Sequence, residues 1–258
     1  GNTSSGKTTT LNTLFSFVPL NERILLIEET PEINIPHFHQ IKLISNEELQ
    51  ISMESLVYDS LRMRPDRVIV SEIRNKEEIK AFVETLLSGQ ARGSYTTFHA
   101  QSSEEVVKRF LSAGILPIDI SSIDFIIVQR RMLIYDREKR KCWEERRGIE
   151  ISEVNNEKVN KIFYLDSKQK IKINNLNKSR KIDEIADSFM LTRKEYFEEI
   201  EERKKFFEKN LKLPLNFNES LNIIQRYLFG EGINENVGEE ENQILEKIKK
   251  REASEASW

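Results

Sequence analysis

Cysteine is almost absent from this 258-residue sequence, since Cys142 is the only one. A single thiol excludes an internal disulfide framework and is typical of proteins that work in a reducing cytosol. Long hydrophobic runs are also missing, because no apolar stretch approaches the roughly 20 residues that a membrane-spanning helix needs. Any role at a membrane is therefore expected to depend on a partner protein.

The sequence also lacks a strong excess of either charge. Its 40 Lys and Arg residues and 43 Asp and Glu residues give a formal net charge of −3. This balance argues against a protein that binds nucleic acid through bulk positive charge. The 38% hydrophobic content is enough for a real core, so we expect one large or two small globular domains.

The first eight residues, GNTSSGKT, fit the phosphate-binding pattern G-x-x-x-x-G-K-[S/T]. Glycines let the backbone approach a phosphate chain closely, and the following helix start directs free N–H groups at the same anion. In such a loop the lysine reaches the β- and γ-phosphates and the threonine hydroxyl can bind Mg²⁺. The alternative is a plain glycine turn before a helix. The predicted nucleotide-binding residues here are Gly1, Asn2, Thr3, Ser4, Ser5, Gly6, Lys7, Thr8 and Thr9.

A phosphate-binding loop of this type follows a buried strand, and no residues precede Gly1 in this sequence. We therefore expect the chain to be a fragment of a longer protein.

Two short apolar runs predict buried parallel strands that each end in acidic residues. The run RILLIE at residues 23–28 opens into EETPEI, and the run RVIVSEIR at residues 67–74 contains Glu72. Carboxyl ends of parallel strands carry the ligand-binding groups in doubly wound sheets, and a carboxylate there can hold Mg²⁺ directly or through water. Each pattern alone is weak. The first is also compatible with a solvated acidic turn, and apolar strands that end in Glu, as in the second, are common.

The three histidines have different expected roles. His37 and His39 lie in the segment IPHFHQ without a suitably spaced third ligand, so we interpret them as loop residues and not as a metal site. His99 follows the predicted strand GSYTTF and would reach the same sheet edge as the acids. For His99 a structural and a functional role remain equally open.

Two further strands are predicted at residues 123–135 and 148–154, and they would complete the sheet. The alternative is that these strands form an unrelated β-meander. We therefore place a P-loop core at residues 1–154, which the resemblance described below implies to be an ATPase core. Residues 155–258 are predicted to be a polar linker, with short strand-like segments, followed by a mainly helical extension. A short charged helix is expected at residues 244–251.

The order of motifs resembles the secretion ATPase superfamily, the motors of type II secretion, type IV pilus and type IV secretion machines. The P-loop, EETPEI, VIVSEIR and GSYTTFHA occupy the places of the Walker A motif, Asp box, Walker B motif and His box. Three segments are most similar to the archaeal branch, which serves pilus-like and archaellum systems. They are EETPEINIPHFH, LRMRPDRVIVSEIR and GQARGSYTTFHAQSS. This resemblance covers roughly residues 1–154 and implies an α/β fold, a RecA-like P-loop NTPase core with a mostly parallel sheet flanked by helices, plus a helical C-terminal extension.

The resemblance also implies roles for individual residues. Lys7 and Thr8 would bind ATP and magnesium, and Glu72 would be the Walker B acid at the metal. Glu32 would polarise the attacking water, and His99 would lie near the γ-phosphate. Arg62 and Arg74 would lie near the nucleotide or a neighbouring subunit.

The sequence departs from the family pattern at three places. Glu29 replaces an Asp, Ser71 replaces a Gly, and an extra His-box histidine is missing around residues 90–92.

At the level of the whole protein, the resemblance implies a homo-hexameric ATPase that drives a polytopic membrane platform protein. This chain would be its C-terminal catalytic part. That part alone is expected to hydrolyse ATP poorly, because the N-terminal domain and the arginines of neighbouring subunits are missing. The whole protein would be cytoplasmic and peripheral at the inner face of the cell membrane through the platform protein.

No direct nucleic-acid partner is expected. The alternative is a RecA-like nucleic-acid motor or strand-exchange ATPase, which shares the same core. The balanced charge and the lack of a basic stripe interleaved with aromatic residues argue against that alternative.

Overall fold

The computed structural model describes residues 1–166, 169–174, 176, 179–210 and 215–230. Its first half contains a four-stranded sheet in the order β2-β1-β3-β4, in which all pairs are parallel. The strands are β1 (Ile24–Glu28), β2 (Gln40–Ile44), β3 (Arg67–Ile73) and β4 (Gly93–Phe98). All five residues of β1 are buried, which is why its first four are a continuous apolar run.

Helices flank this sheet and connect its strands. They are α1 (Lys7–Leu14), which continues into a 3₁₀ turn at Phe15–Phe17, α2 (Met53–Ser60), α3 (Lys76–Leu87), α4 (Ser103–Ser112) and α5 (Pro117–Ile120). Asn75 and Glu78 form a capping box at the start of α3, and the Ser102 side chain caps α4. The predicted α/β class with a parallel sheet and flanking helices is therefore confirmed.

The strands in the second half form a sheet of their own. They are β5 (Phe125–Asp136), β6 (Lys141–Asn155), β7 (Lys158–Leu165) and β8 (Ile171–Ile173), each antiparallel to the next. The expectation that segments 123–135 and 148–154 complete the first sheet was wrong, and the β-meander alternative is the observed arrangement. The physical reason is the short link between β5 and β6, which forces an antiparallel hairpin, whereas the first sheet is parallel.

The predicted division at residue 154 falls at the end of β6. Because β6 pairs with β7 through Val154 and Asn155, one antiparallel sheet spans that position. The two strand-like segments expected in the polar linker are β7 and β8.

The helical extension contains α6 (Arg180–Ser188), α7 (Arg193–Asn210) and α8 (Phe217–Phe229). The helix predicted at 244–251 lies outside the described residues. Among the helices that are described, none has the length and apolar character needed to cross a membrane.

Candidate nucleotide-binding site

The N-terminal loop has the backbone of an anion-binding turn. Gly6 has φ of 94° and Ser4 has φ of 57°, so two residues of the loop are left-handed. Alternation of right- and left-handed residues turns successive N–H groups toward a common point, which makes an anion-binding concavity. Gly1 is also required sterically, because a Cβ there would lie 2.3 Å from the Gln129 carbonyl oxygen.

The loop leads directly into α1, which starts at Lys7 without a side-chain cap. The first N–H groups of any helix lack intrahelical partners, and the helix dipole favours negative charge near them. The start of α1 is therefore suited to a phosphate group.

Lys7, Glu72 and His99 meet beside this helix start. The Lys7 Nζ lies 3.3 Å from His99 Nε2 and 3.8 Å from Glu72 Oε1. The His99 Nε2 and Glu72 Oε1 atoms are 2.8 Å apart. Burial lowers the pKa of Lys7, and the charges of Glu72 and Glu32 act in the opposite direction. The side chains predicted at the P-loop, at the end of β3 and after β4 thus form one cluster.

A β-bulge in β3 precedes the Walker B position. The register between β3 and β4 shifts between Val70 and Glu72, and the Ser71 carbonyl accepts a 2.6 Å hydrogen bond from the Thr97 hydroxyl. Bulges re-aim the side chains that follow them. Ser71 and Thr97 both line the cavity next to Glu72.

Arg74 links two acidic residues, Glu72 on β3 and Glu29 in the loop after β1. Its Nε donates to Glu72 Oε2 at 2.9 Å and its Nη1 donates to Glu29 Oε2 at 2.5 Å. The hydrogen bond to Glu72 is the main reason why the pKa of Arg74 is raised further, so its guanidinium is a permanent cation between β1 and β3.

Glu32 contacts the P-loop at Thr8. Its Oε2 accepts a 3.4 Å hydrogen bond from the Thr8 hydroxyl. Glu32 is exposed, so its carboxylate remains accessible to water and ligands.

These groups surround a cavity of about 470 Å³. The predicted residues that line it are Thr3, Ser4, Ser5, Gly6, Lys7, Thr8, Thr9, Glu32, Glu72, Arg74 and His99. Arg62 does not line it and lies in the turn after α2, where its N–H donates to the Asp59 carbonyl. Gly1 and Asn2 do not line the cavity either, and the Asn2 side chain accepts a hydrogen bond from the Arg131 N–H.

Arg146 also lines the cavity, although the sequence analysis did not select it. It lies on β6, and its Cδ is 3.8 Å from the position that a Cβ on Gly6 would take. Its position within an arginine-rich hairpin gave no periodic or motif signal. Its cross-strand pairing with Arg131, which places both at the height of the loop, is visible only in the structure.

The donor set fits magnesium that is held partly by the nucleotide. In the part of the chain that the structure describes, no group of three or more His, Cys, Asp or Glu residues is placed to hold a metal ion. Mg²⁺ keeps several waters and binds through one or two protein oxygens plus substrate phosphates. The Thr8 hydroxyl and the Glu72 carboxylate at the cavity supply oxygens of that kind.

His37 and His39 lie in a loop, as expected. His37 is buried with its ring edge-on to Phe15 at a centroid distance of 5.7 Å.

The sequence matches the family model described as Type II/IV secretion system protein over residues 1–206. It is 49% identical over 83 residues to an uncharacterized protein of Methanocaldococcus jannaschii, covering 30% of this chain and 12% of that protein. It is 37% identical over 116 residues to Protein VirB11 of Rhizobium radiobacter, covering 43% of this chain and 33% of the relative.

Two solved structures are also similar. The VirB11 ATPase from the Brucella suis type IV secretion system has a TM-score of 0.47 at 23% identity, covering 58% of this chain and 46% of that one. The pilus retraction motor PilT with bound ADP has a TM-score of 0.44 at 23% identity, covering 57% of this chain and 45% of that one. The chain spans about half or less of the length of the curated relatives named above and of another M. jannaschii protein.

Proposed function

Because the chain belongs to the type II/IV secretion system protein family, we propose that it is the catalytic part of an ATP-hydrolysing motor for secretion or for pilus-like filament assembly. One observation carries this proposal. Lys7, Glu72 and His99 lie within hydrogen-bonding or ion-pair distance of each other at the phosphate-binding loop, and Glu32 reaches Thr8 of the same loop.

The proposed reaction is phosphoryl transfer from ATP to water. Its transition state spreads negative charge over the γ-phosphate oxygens, so catalysis needs cations, positioned donors and one oriented water. Lys7 and the first N–H groups of α1 supply positive charge and donors, and Arg74 supplies a second cation nearby. Glu32 orients or deprotonates the attacking water, and His99 donates or accepts a proton near the transferred group.

Thr8 and Glu72 would hold magnesium, which when bound neutralises charge on the phosphates. Glu72 already accepts a hydrogen bond from Arg74, and its Oε1 lies 2.8 Å from His99 Nε2, so both contacts restrict the direction in which its carboxylate points. Because the acceptor is water, the proposed reaction needs no covalent intermediate on the protein.

We further propose that the complete protein is a homo-hexamer that acts on a polytopic membrane platform protein at the cytoplasmic face of the membrane. An arginine supplied by a neighbouring subunit would complete the charge stabilisation, as in other phosphoryl-transfer enzymes that use a trans-acting arginine. Heterologous contacts between identical subunits close into such rings. The family membership of residues 1–206 supports this proposal.

The experiment that tests the nucleotide site is Lys7→Ala in the complete protein. Loss of a charge-assisted contact worth about 1.5–3 kcal/mol predicts ATP affinity reduced by roughly 10- to 100-fold. The measurement is ATP binding by calorimetry together with steady-state hydrolysis. Lys80→Ala, which removes an exposed lysine from α3, is the matched control and should change neither value. A Lys7→Ala protein that bound ATP as tightly as the parent would contradict the nucleotide site.

A further inference from the structure

Glu28 is the last residue of β1 and its side chain is completely buried. One carboxylate oxygen, Oε1, accepts hydrogen bonds from the backbone N–H groups of Glu32 and Ile33, both at 2.8 Å. A single oxygen thus closes the turn that carries Glu32. The turn contains Pro31, which has a fixed φ and no N–H of its own, so the amides of Glu32 and Ile33 are the first two after it that can donate to β1.

Burial of Glu28 is difficult to explain by core stability alone. Its second oxygen, Oε2, is buried without a hydrogen-bond partner in the structure. A buried polar atom that lacks a partner costs free energy, and an apolar side chain at that position would avoid the cost. What an apolar side chain would lose is the acceptor for the two amides of the turn.

Other contacts fix the part of the turn that follows Glu32. The Ile33 side chain is buried in a cluster with α1, and its carbonyl accepts a 2.8 Å hydrogen bond from Lys42 Nζ. The Asn34 N–H donates to Asn12 Oδ1 at 3.2 Å. Among the hydrogen bonds of the described residues, the bond to Glu28 is the one that holds the backbone N–H of Glu32 itself.

We propose that Glu28 is a positioning residue for hydrolysis, which sets the place of the Glu32 carboxylate by holding the Glu32 and Ile33 amides with its Oε1 atom. This inference rests on the proposed role of Glu32 as the group that orients or deprotonates the attacking water. Glu28 acts through the backbone and does not itself reach the cavity, because it is fully buried and absent from the cavity lining.

Glu28→Met in the complete protein should lower kcat by roughly 10- to 100-fold, because a small displacement of a catalytic group has effects of that size. The KM for ATP should change little, since Lys7 and the P-loop backbone are untouched. Glu28→Gln keeps an acceptor oxygen at the same reach and should restore most of the turnover. Glu28→Asp keeps a carboxyl group but is one methylene shorter, so it should lose turnover as well. It replaces the Met variant if that variant does not fold.

The decisive measurement is a double-mutant cycle with Glu32→Gln, read as single-turnover hydrolysis with magnesium. Glu32→Gln alone should slow hydrolysis by roughly 10²–10⁴-fold, the usual contribution of a positioned acid or base. Adding Glu28→Met to Glu32→Gln should cause little further loss, because the carboxylate that Glu28 places is already gone. Glu153→Met is the matched control, since Glu153 is a buried glutamate on β6 that accepts hydrogen bonds from Ser179 and Asn160 outside the cavity. The folded fraction of the Glu153→Met protein should keep the parental kcat.

Three results would overturn the inference. They are parental kcat in Glu28→Met, an equal further loss when Glu28→Met is added to Glu32→Gln, and no difference between the Gln and Met variants. If Glu32→Gln itself kept parental hydrolysis, the proposed role of Glu32 would fail first, and the Glu28 inference with it. A slow Glu32→Gln protein together with a fast Glu28→Met protein would leave the proposed function intact and reject the Glu28 inference alone.

Discussion

At the scale of single residues, the main addition to the predicted nucleotide site is Arg146. Arg146 is a cation on the second sheet, and it lines the P-loop cavity next to Gly6. The neighbouring arginines of the hairpin are paired within it, since Arg131 forms an ion pair with Glu144 and Arg147 with Glu145. Arg146 has no such ion pair in the described part of the chain, so its guanidinium is available to a ligand.

Arg146→Ala should weaken ATP binding by roughly 10-fold, which corresponds to one charge-assisted hydrogen bond. Its effect should decline at high salt, because the side chain is exposed. Arg147→Ala is the control, since the next residue of a strand points to the opposite face. Titration of each variant with a fluorescent ATP analogue gives the two dissociation constants. Equal losses in the two variants would indicate a general effect of charge and not a contact made by Arg146.

At the scale of elements, α8 closes the end of the P-loop helix. The buried Gln225 side chain donates from Nε2 to the carbonyls of Ser16 at 2.7 Å and Val18 at 2.9 Å. The last carbonyls of a helix lack intrahelical partners, and these two lie in the turn that ends α1. Aromatic contacts add to the docking, since Phe17 packs against Phe207 of α7 at a centroid distance of 5.3 Å.

Gln225→Glu should lower the free energy of unfolding by about 2 kcal/mol or more, because it removes the donor and faces buried carbonyls with an oxygen. Asn218→Asp makes the same amide-to-acid change at an exposed position of α8 and should leave stability nearly unchanged. Urea denaturation followed by circular dichroism measures both. If the two variants denatured at the same urea concentration, α8 would not be anchored through Gln225.

At the scale of the whole molecule, the two sheets contribute different parts of one site. The parallel sheet presents Glu32, Glu72 and His99 at the carboxyl ends of its strands, whereas the antiparallel sheet supplies Arg146. The cavity is therefore complete only when both sheets are folded against each other.

The proposed ring predicts that the complete protein with ATP and magnesium has the mass of six subunits. Heterologous contacts that place a neighbour's arginine at the site require this closure. Light scattering at several protein concentrations measures the mass, and a Lys7→Ala sample tests whether assembly depends on nucleotide. A strictly monomeric protein with full ATPase activity would reject the ring and the trans-acting arginine together.

The sequence by itself determined the parallel sheet, the P-loop and the order in which Glu32, Glu72 and His99 follow it. These features depend on local patterns, because a buried strand needs a continuous apolar run and its end needs polar residues. The predicted strand ends of β1 and β3 therefore agree with the structure.

Only the tertiary structure decided the contacts between distant parts of the chain. Gln225 and Ser16 are 209 residues apart, and no local pattern links them. The same holds for Arg146, which reaches the loop through the pairing of β5 with β6. It holds also for Arg62, which the resemblance placed near the nucleotide or a neighbouring subunit and which does not line the cavity of this chain. The separate antiparallel sheet was missed for a related reason. Strand periodicity indicates which residues are extended, but the choice of partner strand depends on chain reversal and on which edge is free to pair.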